Sequence, residues 1–198
     1  MKKHLVSLFT LCSSAVAAPY YLPSPQPGAL TPYDWQPTTR LEALYAIGTS
    51  DTPDTWGFRT GIDLYSSGES PVRHEFCVNL APQWGDGHEH HVEGRVKQNL
   101  FHMPLTVGYD LNLNLFQNVF LFVGGKFGWA FGRYEEEHRR FRNRDSYNGV
   151  TYSLGGGIKI QCSERLYAQA GYEFARTNTH RDKDWNQHVF TAGLGWIF

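Results

Sequence analysis

Phe190-Thr191-Ala192-Gly193-Leu194-Gly195-Trp196-Ile197-Phe198, the last stretch of the sequence, is an alternating pattern. In an extended chain Phe190, Ala192, Leu194, Trp196 and Phe198 share one face, and Thr191, Gly193 and Gly195 share the other. A soluble domain avoids an exposed apolar edge strand tipped with Trp and Phe, because such an edge templates aggregation. A membrane barrel has a use for it: the strand joins a closed cylinder, its apolar face meets lipid, and its aromatics sit at the bilayer interface.

Working outward, seven further segments alternate in the same way, near 39–48, 55–65, 72–84, 97–110, 118–131, 149–162 and 166–176. In the second, Trp56, Phe58, Thr60, Ile62 and Leu64 oppose Gly57, Arg59, Gly61 and Asp63. In the fifth, Val119, Leu121, Val123, Phe127, Trp129 and Phe131 oppose Gly124, Lys126 and Gly128. The fourth fits less well around 97–100, which suggests a bulge near Pro104. Each segment approaches the roughly ten residues of a tilted membrane strand. The fold class expected is all-β, an eight-stranded antiparallel transmembrane β-barrel over residues 38–198. Connections after the second, fourth and sixth segments are short, and those after the third, fifth and seventh are longer and charged. That asymmetry places both termini in the periplasm. Trp56, Trp84, Trp129 and Trp185 fall at the expected outer ends of strands, with Trp196, Phe198 and Tyr109 at the periplasmic ends, as two interfacial girdles.

The amino terminus agrees. Lys2-Lys3-His4, an apolar run from Leu5 to Cys12, and small residues Ser13 to Ala18 have the order of a secretory signal peptide, assigned to residues 1–18. Residues 19–37 hold Pro19, Pro23, Pro25, Pro27, Pro32 and Pro37 and read as a proline-rich periplasmic leader. The mean hydropathy of −0.44 does not oppose a membrane location, since every second barrel residue faces the lumen. The formal charge of −1 becomes −3 when Lys2 and Lys3 are removed, which excludes an electrostatic case for nucleic acid. Cys77 and Cys162 fall on opposite face parities, so two separate thiols are expected.

Pro104-Leu105-Thr106-Val107-Gly108-Tyr109, the eight strands, the signal segment and the terminal Phe198 together resemble the small outer-membrane β-barrels of the opacity/adhesion porin-like superfamily. The resemblance implies a barrel in the cell outer membrane with variable surface loops. Its members include adhesins, structural proteins and lipid-modifying enzymes, so it implies no single activity. The last strand resembles the carboxy-terminal signal read by the barrel assembly machinery.

The lumen-facing set is Arg40, Glu42, Arg59, Asp63, Arg73, Glu75, Lys126, Lys159 and Glu173. Its signs nearly balance, whereas a selective pore would carry a ring of one sign. Charges inside so narrow a barrel need partners, so two ionic layers closing the lumen are expected. His88, His90, His91 and Glu93, in a glycine-flanked loop, have ligand types that suit a borderline metal bound weakly. No cofactor is expected. Between the fifth and sixth strands, the loop from about Arg133 to Asn148 combines Tyr134, Arg139, Arg140, Phe141, Arg142, Arg144 and Tyr147. Arginine with aromatics suits an anionic partner such as lipopolysaccharide phosphate, or an extracellular glycan or protein ligand, while Glu135-Glu136-Glu137 opposite the basic run allows self-pairing. No His-x-Ser pair occurs in the sequence, and His74, His102 and His188 lack an evident orienting partner. The function expected is therefore noncatalytic adhesion or envelope interaction through surface loops. The alternatives are a narrow porin for small solutes and a lipid-modifying outer-membrane enzyme.

Overall fold

A computed structural model of the protein describes residues 34–49, 52–67, 72–91, 94–116, 118–138, 141–179 and 184–198. The alternating segments form nine strands: β1 Asp34–Gly48, β2 Thr55–Ser67, β3 Val72–Leu80, β4 Gln83–His91, β5 Gly94–Phe116, β6 Val119–His138, β7 Phe141–Gln161, β8 Leu166–Thr179 and β9 Asp184–Ile197. Every ladder is antiparallel. β1 pairs with β2 on one side and with β9 on the other, so the pairing returns to its start and the sheet has no free edge along the shared length. Closure satisfies the backbone without water, which is the condition for crossing a bilayer with strands.

Nine strands reconcile with the eight expected because β3 and β4 follow one another along the same two neighbours. Leu80 pairs with Leu105 and Gln83 with His102, so the register of β5 is unchanged across the gap. Pro82 has no N–H and interrupts the ladder there. Its carbonyl still accepts from Phe58 N at 3.3 Å, and Ala81 N donates to Pro104 O at 3.1 Å. The bulge expected near Pro104 is therefore absent; the β5–β6 irregularity lies at Asn114 and Phe116, beside the turn. β1 begins at Asp34 and pairs Pro37 with Leu64, so strand structure starts ahead of residue 38. Residues 1–33, with the signal segment and most of the leader, lie outside the described residues.

The two faces separate by chemistry. Leu154 is 70% exposed, Ile62 62% and Phe127 59%, and with Phe58, Val123 and Leu194 they face outward. Asp63 and Glu42, one residue out of phase, are 0% and 1% exposed in the interior. An exposed apolar surface of this extent has no place in water and fits a hydrocarbon belt. Trp56, Trp84, Trp129 and Trp196 lie on it. Trp185 does not: it is 8% exposed and points inward, which corrects its assignment to the girdle. It has the phase of Gln187, Val189 and Thr191, all interior, because β9 runs unbroken up to Asp184.

Cys77 is buried in the lumen and Cys162 half-buried at the β7–β8 turn, and the two are not joined to each other. The junctions of β2 with β3, β5 with β6 and β7 with β8 are reached at Ser67, Phe116 and Gln161, at the end that also holds Asp34 and Ile197, here termed the terminal end. Opposite it, β4 to β7 project furthest. The β6–β7 ladder continues to His138 and Phe141, whereas β7 joins β8 only from Gly149 and Thr179 onward. Residues 133–138 and 141–148 are thus strand, not the loop expected, and residues 85–91 likewise pair with β5 as far as His91 and Gly94.

Candidate functional site

Nine strand positions of inward phase bring the expected charges into the lumen: Arg40 and Glu42 from β1, Arg59 and Asp63 from β2, Arg73 and Glu75 from β3, Lys126 from β6, Lys159 from β7 and Glu173 from β8. Glu173 receives both Arg59 Nη1 and Nη2 at 2.8 Å, as a fork, and also pairs with Lys126. Ser153 Oγ donates to the same carboxylate at 3.4 Å. Nearer the terminal end, Arg40 Nη2 lies 3.2 Å from Asp63 Oδ1, Arg40 Nη1 lies 4.0 Å from Glu75 Oε1, and Lys159 pairs with Glu75. Glu42 joins the groups, at 3.5 Å from both Arg40 Nε and Arg59 Nη1. The two layers expected are therefore one connected network, because a single carboxylate of β1 lies between two arginines. Arg73 has its guanidinium 4.7 Å from the Phe120 ring centre.

Neutral groups complete the shell. Gln169 Nε2 donates to Glu42 at 2.7 Å, Arg40 Nη2 to Asn79 Oδ1 at 2.6 Å, and Asn112 Nδ2 to Glu75 at 3.0 Å. Four cations (Arg40, Arg59, Lys126, Lys159) meet four anions (Glu42, Asp63, Glu75, Glu173), with every side chain at or below 8% exposure. Such a cluster is tolerable because each charge has an opposite neighbour; removing one partner of a buried pair costs about 3–5 kcal/mol. Toward the terminal end Phe120, Phe122 and Tyr167 fill the bore, and Lys159 Nζ sits 4.9 Å from the Tyr167 ring centre. Gly157 and Gly171 make room for Phe122, since a Cβ at either would stand 2.8 or 2.9 Å from its ring.

The other end of the lumen holds a cluster that the sequence reading missed. Trp185 lies 4.3 Å from Tyr147 between ring centres, 6.2 Å from His102 and 5.9 Å from Tyr134. His102 is stacked on Tyr147, with Nδ1 2.7 Å from the phenol oxygen. Tyr147 therefore belongs to the interior and is withdrawn from the surface candidates. The phase of Tyr147 with Thr151 and Ser153, and of Trp185 with Thr191, carried this information. Asp110, interior on β5, was also passed over as a lumenal charge.

On the projecting hairpin, Glu135 stands across from Arg144 and Glu137 across from Arg142. Arg144 Nε is 2.7 Å and Arg142 Nη2 3.3 Å from the Glu135 carboxylate, while the arginine side chains remain 54% and 66% exposed. The Arg142 hydrogen bond, reinforced by the charges of Arg144 and Arg133, holds the Glu135 carboxyl below the usual carboxylate range. Tyr134 hydrogen-bonds Glu136 at 2.8 Å. Arg139, Arg140 and the Phe141 side chain lie outside the described residues, as do Glu93 and the side chains of His88, His90 and His91. Among the described residues no group of three metal-binding side chains occurs.

The family model for the outer membrane protein beta-barrel domain matches residues 6–198. The chain belongs to this family. Among curated proteins none matches in sequence. Neisserial surface protein A is similar in structure, with TM-score 0.57, 13% identity, and 82% of this chain and 97% of that chain covered. Ail, the attachment invasion locus protein of Yersinia pestis, gives TM-score 0.53 and 15% identity over 83% of this chain and 97% of that one. A second Ail structure, in complex with the heparin analogue sucrose octasulfate, gives TM-score 0.52 at 14% identity over 83% and 97%. At these identities the likeness is one of fold.

For an outer-membrane barrel, these side chains divide the chemistry in two. Eight of the lumenal charges form ion pairs with one another. The three histidines singled out each meet a tyrosine: His74 with Tyr109 at 2.5 Å, His102 with Tyr147 at 2.7 Å and His188 with Tyr172 at 2.6 Å. On the projecting strands Arg142 and Arg144 remain solvent-facing.

Proposed function

We propose that this outer-membrane protein is a noncatalytic surface-contact protein, with its terminal end in the periplasm and the projecting strands outside the cell. In this reading the β6–β7 hairpin binds an anionic extracellular glycan through Arg142 and Arg144, joined by Arg139 and Arg140. The observation that carries it is the contrast between a lumen filled by paired charges and a hairpin whose Arg142 and Arg144 side chains are more than half exposed. The sulfated sugar in the Ail complex supports the ligand class. Outer-membrane lipid surrounds the belt, lipopolysaccharide phosphates are a second anionic partner, and β9 is the strand offered to the assembly machinery.

The test is binding of sulfated oligosaccharides to protein in lipid nanodiscs, comparing wild type with a variant carrying Gln at the four arginine positions. Exposed ion pairs contribute about 0.5 kcal/mol each, so the variant should bind on the order of tenfold or more weakly, with a flatter salt dependence. Equal binding by both proteins removes the hairpin as the contact element. Turnover of a lipid or peptide by purified protein would favour the enzyme alternative.

A further inference from the structure

Beneath the projecting strands, where the apolar belt gives way to charge, β2, β4, β5, β6 and β7 enclose an outward-facing groove of about 400 Å³. Its floor is aromatic: Trp84 lies 5.7 Å from Trp56 and 5.7 Å from Phe101 between ring centres. Trp84, Phe101 and Arg133 are successive partners across β4, β5 and β6, so a cation stands at the end of an aromatic row. Arg144 and Glu135 close the upper rim, already bonded to one another. Arg133 makes no ion pair within 4 Å among the described residues. Three arginines (133, 142 and 144) thus surround one carboxylate, and Arg133 is the one left to take an anion.

We infer that this groove holds the phosphorylated sugar headgroup of a glycolipid in the same leaflet. Trp56, Phe58 and Trp84 are part of the lipid-facing belt, so whatever occupies the groove lies in the membrane surface and is continuous with its acyl chains. Aromatic faces pack against the C–H faces of sugar rings, and Asp86 and Asn99, also on the wall, offer acceptors for ring hydroxyls. The Arg133 guanidinium is placed to bind phosphate through a charge-assisted fork. A plain phospholipid lacks the sugar that the aromatic floor would stack. The inference rests on the reading that the projecting end is extracellular, but it concerns a lipid held at the belt and not a soluble glycan held at the hairpin tip.

The experiment uses the full barrel in phosphatidylcholine nanodiscs doped with diphosphorylated lipid A, with its dephosphorylated form, or with phosphatidylglycerol, and counts retained lipids by native mass spectrometry. Wild type should retain diphosphorylated lipid A in preference to the other two. Arg133→Gln should weaken retention about tenfold, the loss of one hydrogen-bonded charge contact. Arg133→Lys should restore part of it, and Trp84→Ala should reduce it while leaving the unheated band of the folded barrel intact on a gel. Arg142→Gln, which weakens sulfated-glycan binding if the hairpin reading holds, should reduce lipid A retention far less than Arg133→Gln does. Equal retention by wild type and Arg133→Gln overturns the inference. So does equal retention of phosphatidylglycerol, which would mean unspecific attraction of anionic lipid, or equal binding of a soluble glucosamine phosphate, which would mean a ligand from solution.

Discussion

Glu173→Gln perturbs the most heavily used carboxylate of the lumen. In wild type Glu173 accepts a two-bond fork from Arg59, pairs with Lys126 and accepts from Ser153. Glutamine keeps the shape and one acceptor but removes the charge that faces both cations. Arg59 retains Glu42 at 3.5 Å, whereas Lys126 makes no second ion pair within 4 Å among the described residues. Removing one member of a buried pair costs about 3–5 kcal/mol, and here two cations lose their main counter-charge, which puts the cost in the upper part of that range. The check is reversible urea unfolding of the barrel in lipid vesicles, comparing Glu173→Gln, Lys126→Met and the double variant. The double variant should be more stable than Glu173→Gln alone by about 1–3 kcal/mol, because it removes a stranded charge. A Glu173→Gln barrel within about 0.5 kcal/mol of wild type, the usual effect of an ordinary surface change, would refute the idea that the network is tightly coupled.

Other outcomes follow from the same structure. Glu135→Gln should release Arg142 and Arg144 and tighten sulfated-glycan binding severalfold, read by titration. Because the Glu135 carboxyl is held below its unfolded range, its pairing is complete above that range and is lost as pH falls through the lower folded value. Wild-type binding to a permanently charged sulfated glycan should therefore strengthen on acidification, and the Glu135→Gln protein should lose that dependence. Single-tryptophan proteins in brominated lipid should show strong quenching of Trp56, Trp84, Trp129 and Trp196, and weak quenching of Trp185. Leu154→Arg, at a lipid-facing site 70% exposed, should destabilise the barrel by about 2–4 kcal/mol in vesicle unfolding.

Strand geometry explains how much of this was legible. Adjacent residues must face opposite sides, so once Ile62 and Leu64 were assigned to lipid, Arg59 and Asp63 had to enter the lumen; no partner needed to be known. The same rule would have placed Trp185 and Tyr147 inside, but residue type outweighed phase, since tryptophan at a strand end suggests an interface. The projecting strands were illegible for a different reason. From Arg133 to Asn148 little apolar alternation remains, and the ladder is held by backbone pairing with cross-strand contacts such as Glu135 to Arg144. A composition of that kind reads as loop. The bridging role of Glu42 was also hidden, because two arginines meet it from different strands in a register that the sequence does not state.

The central claim is that the lumen is a filled, charge-paired core, which leaves contact chemistry to the projecting surface. Planar-bilayer recording of the purified protein tests it most directly. Wild type should give no steady single-channel conductance; a stable, large conductance would contradict a closed lumen and favour a porin.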